Sequence, residues 1–92
     1  MTKIDIIEVR PNGRVVANSV GEETILLHLD TGYYFSLNEI GSGLWEGLTS
    51  GKAMRMILDE LHAVYDVEMS RLESDVNTLV TELLTNDIVE VV

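Results

Sequence analysis

Ninety-two residues, 46% of them hydrophobic, are enough for one packed domain and too apolar for a disordered chain. The absence of cysteine removes disulfides, thiolate nucleophiles and cysteine-based metal sites. Sixteen acidic residues against six basic ones give a formal charge of −10, which repels nucleic acid at long range and leaves neutral or basic partners.

In chain order, the N-terminus "MTKIDIIEVR" carries acidic residues where a signal peptide needs an apolar stretch. No apolar run approaches the ~20 residues of a membrane span. The expectation is a cytoplasmic protein with no membrane partner, its single domain running over 1–92. Residues 4–9, "IDIIEV", read as a strand ended by Pro11-Asn12-Gly13. Residues 14–20 and 23–29 are rich in Val, Ile and Leu around Gly21-Glu22, the pattern of a hairpin. Asp30-Thr31-Gly32 is the next turn, since Asp bonds its own backbone and Gly supplies a positive φ. "YYFSL", 33–37, is the third strand, its aromatics suited to a half-buried pleated surface.

After Leu37 the period changes. Asn38 is a favourable N-cap, and Ile40, Leu44, Trp45 and Leu48 recur at helical spacing. Met54, Ile57, Leu58, Leu61 and Tyr65 mark a second helix. A stripe from Met69 to Leu84 marks a third and longest one, with Asn86 as its terminator. "IVEVV" is a short strand or an extended tail. The fold class is therefore α+β, a small winged helix-turn-helix with an N-terminal three-stranded antiparallel sheet followed by three helices.

Asp30-Thr31-Gly32 is also the triplet of aspartic proteases. That chemistry needs two carboxylates sharing a proton and a small residue after the glycine. Tyr33 follows here, and no second signature appears near the C-terminus, so a hairpin turn is the better reading. Gly41-Ser42-Gly43 sits at a strand-to-helix junction, as in a dinucleotide fingerprint, but Glu46 stands where the third glycine belongs. The glycines read instead as close-packing positions on the first helix. His28 and His62 lack metal-ligand spacing, and Asp59 with His62 is a common surface pair. No catalytic constellation, no metal site and no cofactor site emerges, so the reading is of a protein that is not an enzyme. The third helix, as a DNA-recognition helix, would need Arg and Lys. Between 68 and 86 it has Arg71 alone against Glu68, Glu73, Asp75 and Glu82. The scaffold has the shape of a DNA binder and the wrong charge for one.

The run "ILLHLDTGYYFSLNEIGSGLWEGL" resembles the PqqD-like proteins, or RiPP recognition elements, through Leu37-Asn38, Gly41 and Leu44-Trp45. Tyr65-Asp66-Val67, Asp75-Val76 and Leu83-Leu84 fit the second half of that pattern, so the resemblance covers about 15–90. It implies a small winged-helix protein that binds the leader of a ribosomally made precursor peptide and presents it to modifying enzymes. The chain departs from the pyrroloquinoline quinone subgroup, with Asp30-Thr31-Gly32 in place of Pro-Glu-Gly. It is more similar to the standalone versions of lasso-peptide clusters or of radical-SAM peptide enzymes, between which its residues do not choose. Physical reasoning runs the same way. An antiparallel sheet has an open edge that an extended peptide extends as another strand. The candidate site is Tyr33, Tyr34, Phe35, Ser36 and Leu37 on the strand, facing Arg71, Asp75, Thr78, Leu79 and Glu82 on the third helix. Phe35 and Leu37 are expected to face the core. The expected partners are the leader peptide and its modifying enzyme, with a homodimer allowed by the open edge. A winged-helix protein–protein or DNA-binding regulator is the alternative.

Overall fold

The computed structural model describes residues 7–92. Chain order is β1 (Val9–Pro11), β2 (Val15–Val20), β3 (Glu23–His28), β4 (Tyr34–Leu37), α1 (Glu39–Thr49), α2 (Met54–Val64), α3 (Met69–Thr85) and β5 (Val89–Val91). The class is α+β in a winged-helix-like arrangement. β2, β3 and β4 form an antiparallel sheet in that order, and β1 pairs with β5 in a second, two-stranded one.

Three boundaries differ from the sequence reading, and one open alternative is resolved. Residues 4–6 of the expected N-terminal strand lie outside the described residues, and the strand seen runs from Val9 through Pro11 instead of stopping before it. A proline is tolerated there because β1 is a short strand with a single neighbour. The third strand starts at Tyr34, because Tyr33 still belongs to the turn: its N–H donates to Thr31 Oγ1 at 3.2 Å. Tyr65 leaves the second helix with extended dihedrals, φ −107° and ψ 136°. The C-terminal segment is a strand rather than a tail, with Val9 opposite Val91 and Pro11 opposite Val89.

Local chemistry fixes the joints. Gly21 opens the two-residue β2–β3 turn at φ +64°, and Gly32 closes the β3–β4 turn at φ +74°, conformations that a side chain disfavours. Arg14 Nε and a terminal guanidinium nitrogen donate to Asp30 Oδ1 at 3.0 and 2.9 Å, tying that turn to the start of β2. Asn38 caps α1 by accepting from the Gly41 N–H at 2.9 Å. α2 has no capping side chain of its own, and Glu8 supplies one from across the fold, accepting from the Met54 N–H at 2.9 Å. α3 ends in a Schellman arrangement: Ile88 N–H bonds Leu83 C=O at 2.9 Å and Asp87 N–H bonds Leu84 C=O at 3.1 Å.

α1 packs on the inner face of β3 and β4, and α2 and α3 pack on α1 and on each other. Leu26, Leu37, Leu44, Trp45, Ile57, Leu58, Leu72, Leu83 and Ile88 make the centre of one continuous core. α1 meets α2 through its glycines. A Cβ on Gly43 would stand 2.8 Å from Leu61 Cδ2, and one on Gly47 would stand 2.6 Å from Ile57 Cγ1. Close packing thus accounts for Gly43 as the sequence suggested, and Gly47 joins it.

Two stability outcomes follow from this packing. Trp45 is only 6% exposed, so Trp45→Ala should cost about 3–5 kcal/mol in urea unfolding. Gly47→Ala gains helix propensity but drives a methyl into the stiff base of Ile57. A net loss of about 1–3 kcal/mol is expected, partly restored by pairing it with Ile57→Ala. Wild-type stability of either single variant would contradict the packing described.

Candidate functional site

Among the described residues β4 is the last strand of its sheet, and its register with β3 determines what it offers. Leu37 lies opposite Thr24, Ser36 opposite Ile25, Phe35 opposite Leu26 and Tyr34 opposite Leu27. One step further, His28 N–H donates to Tyr33 C=O at 3.0 Å. Hydrogen-bonded pairs alternate in an antiparallel ladder. Tyr33, Phe35 and Leu37 therefore direct their main-chain groups at β3, and Tyr34 and Ser36 direct theirs at the open edge. The side chains alternate too: Leu37 is buried and Phe35 half-buried, whereas Tyr34 and Ser36 are exposed, so the inward pair is the one expected.

Across from this edge runs α3. Between them lies a groove of about 330 Å³ whose apolar floor is Phe35, Leu37, Ile40, Val76 and Leu79, with Ser36 and Asp75 also lining it. Tyr33 stacks obliquely on Phe35, ring centres 6.2 Å apart. At the Tyr33 end a second depression of about 380 Å³ is bounded by Thr31, Gly32 and Tyr33 on one side and Thr85, Asn86 and Asp87 on the other.

Of the ten residues picked from sequence, Phe35, Ser36, Leu37, Asp75 and Leu79 line one groove. Tyr33 lines the second depression. Tyr34 points to solvent on the outer face of the sheet. Arg71 lies 3.7 Å from Asp75, Thr78 donates its hydroxyl back to Ser74 C=O at 3.1 Å, and Glu82 is exposed on α3; none of these three lines either depression. Ile40 and Val76, assigned by their period to the core, prove also to floor the groove.

The sequence did not disclose the arrangement at the Tyr33 end. His28 is fully buried, and its Nδ1 accepts from the Asp30 and Thr31 N–H groups at 3.1 and 3.4 Å. Its Nε2 then carries the proton and donates to Asp87 Oδ2 at 3.0 Å. Asn12 Nδ2 donates to the same carboxylate oxygen at 3.1 Å and to Asp87 C=O at 2.9 Å. Asp87 holds φ +60°, the left-handed position where helices usually place glycine. Its carboxylate ties offset that strain. The one sequence signal was an Asp directly after the helix-ending Asn86. This node joins the β3–β4 turn, the end of α3 and the end of β1, and so fixes the mouth of the second depression.

The electrostatics are acidic. Arg55 is paired with Glu73 at 2.9 Å, and Arg71 sits beside Asp75, which leaves Glu82 and Asp87 on this side of α3. The Arg14 hydrogen bond holds the Asp30 carboxyl below the usual carboxylate range. On another part of the surface the Glu22 carboxyl is raised by a shared hydrogen bond and repulsion from Glu39. Among the described residues no group of three or more His, Asp or Glu side chains is placed to hold a metal ion. Among them, too, no helix is long and apolar enough to cross a membrane.

The family model of coenzyme PQQ synthesis protein D matches residues 23–89. No curated protein sequence matches the chain. Two solved structures share its fold closely. TbiB1 in complex with the TbiA(beta) leader peptide is 33% identical with a TM-score of 0.83, over 88% of this chain and 94% of that one. A lasso peptide synthetase B1 complexed with the leader peptide is 25% identical with a TM-score of 0.80, over 90% of this chain and 98% of that one.

The node makes its own prediction. His28→Leu keeps the volume but removes the acceptor of two part-buried N–H groups and frees Asp87. It should cost about 1–3 kcal/mol in chemical unfolding. His28→Asn, whose Oδ1 stands in for Nδ1, should recover part of that loss. Equal stability of His28→Leu and wild type would show that the node holds nothing.

Proposed function

Because the chain belongs to the family of coenzyme PQQ synthesis protein D, we propose that it binds the leader segment of a ribosomally synthesised precursor peptide and presents it to modifying enzymes. The leader adds as a strand to β4 and lies in the groove against α3. The observation that carries this reading is the open edge itself. Tyr34 and Ser36 offer main-chain groups to an incoming strand, and an apolar floor lies alongside. Main-chain bonds supply affinity that does not depend on sequence, and the groove selects alternate side chains. Both solved relatives are complexes with leader peptides, which supports the reading.

The site binds and catalyses nothing of its own. Its polar groups are a helix face and a strand edge, and the aspartate of the Asp30-Thr31-Gly32 turn is occupied by Arg14. The acidic side of α3 disfavours duplex DNA and favours a leader with neutral or basic residues. The protein acts in the cytoplasm, where ribosomal precursors are made. A second copy of the chain entering the same β4 edge would compete with the leader, so the binding-competent species is the one with that edge free.

Titrating synthetic leaders from precursor genes neighbouring this one should give dissociation constants below about 100 μM by calorimetry; weaker binding by every one of them defeats the proposal. The register sharpens the test. Ser36→Pro removes an N–H that faces the edge and should weaken leader binding by about tenfold with the fold intact. Phe35→Pro removes one that β3 uses and should unfold the sheet by circular dichroism. Hydrogen exchange should show leader-dependent protection at the Tyr34 and Ser36 amides. Protection on Val89–Val91 instead would place the peptide on the other sheet. Asp75→Lys should weaken a basic leader and spare a neutral one, with the difference shrinking at high salt.

A further inference from the structure

The inner face of the β2–β4 sheet is covered by the helices along β3 and β4, β2 beyond Val15 is exposed on both faces, and the outer face is not covered by any described element. Cross-strand register puts Val16 beside Leu27 and Leu27 beside Tyr34, with Val20 opposite Glu23 and Ile25 opposite Ser36. All of these share the outer face. Val16, Val20, Ile25, Leu29 and Tyr34 keep 37–68% of their surface exposed. A one-sided antiparallel sheet ordinarily turns polar side chains to water. Here Val16, Val20, Ile25, Leu27 and Tyr34 outnumber the polar Asn18 and Ser36 on the solvent side, and its only charged strand residue is Glu23, at the hairpin tip. Clustered apolar exposure of this kind marks a contact surface.

A second copy of the chain fits it poorly. Two copies would bring together chains of formal charge −10. The face is, however, continuous with the leader site. β4 is the strand the leader extends, and Tyr34 belongs to both surfaces. A bound leader becomes a fourth strand, and every second side chain of it joins the outer face. Whatever rests there touches sheet and leader together.

Resting on the leader-binding reading above, we propose that the outer face of the β2–β4 sheet is the docking surface for the enzyme that modifies the leader-borne peptide. The partner surface it fits is an apolar patch with a neutral or basic rim, because the hairpin end of the face carries Glu22 and Glu23.

The test uses the full chain loaded with its leader and, as probe, the purified modifying enzyme encoded beside that precursor. Val20→Lys and Ile25→Lys place a charge on the face without touching the groove. Leader affinity should stay within about twofold, while enzyme binding by interferometry should fall by about tenfold or more. Ile25→Val should retain it. Enzyme binding unchanged in the lysine variants overturns the proposal, as does a leader-loaded wild type that fails to bind the enzyme. So does a concentration-dependent dimer in sedimentation that Val20→Lys dissolves, since a second copy would then be the occupant. Failure of the leader itself to bind is a separate result and overturns the function on which this inference rests.

Discussion

The register of β4 against β3 decides the direction of every group on the edge strand. With Phe35 opposite Leu26 and Leu37 opposite Thr24, Phe35 and Leu37 face the helices. The same register sends the main-chain groups of Tyr34 and Ser36 outward and puts the Tyr34 ring on the open face. A slip by one residue would reverse all of these at once. It would bury Tyr34 and Ser36, empty the groove floor of Phe35, and hide the edge groups against β3. The buried Leu26 and Leu37 make that slip costly, so the core of the protein also defines its open edge.

The register in turn depends on what holds the β3–β4 turn. Gly32 N–H bonds back to His28 C=O at 2.8 Å, Arg14 grips Asp30, and His28 Nδ1 collects two N–H groups of the turn. Through Asp87 the same histidine reaches the end of α3, so the two walls of the groove share one buried anchor. Next to that anchor β1 pairs with β5, and beyond β1 Glu8 caps α2. The chain ends thereby fasten helices whose own N-termini carry no capping side chain. A small domain with three helices on a three-stranded sheet gains rigidity from such long-range ties, since each one removes freedom from two distant elements.

Charge and shape point the same way. A winged-helix scaffold is widely used on nucleic acid, but the third helix here presents carboxylates, and its arginine lies beside one of them. What remains available is an apolar trough beside an unpaired strand, suited to an extended peptide. The fold alone does not assign that role. The exposed edge, the groove and the similarity to leader-bound structures are what support it as a proposal.

The sequence by itself determined the elements and their faces. Helical and alternating periods, the Asn38 cap and the glycine turns are local signals, so the three helices, the three-stranded sheet and the inward pair Phe35 and Leu37 were legible from it. The order of short motifs also carried the family resemblance. Tertiary structure decided everything that depends on partners far apart in the chain. It paired "IVEVV" with residues near the N-terminus, moved Pro11 into a strand, and set Glu8 on a helix 46 residues away. It drew His28, Asp87 and Asn12 into one node and divided the candidate residues into those that line the groove and those that do not. Periodicity shows that a side chain is turned inward, but not which distant residue it meets there. A hydrogen bond between residues 59 positions apart, such as that of His28 with Asp87, exists only once the whole chain has closed around it.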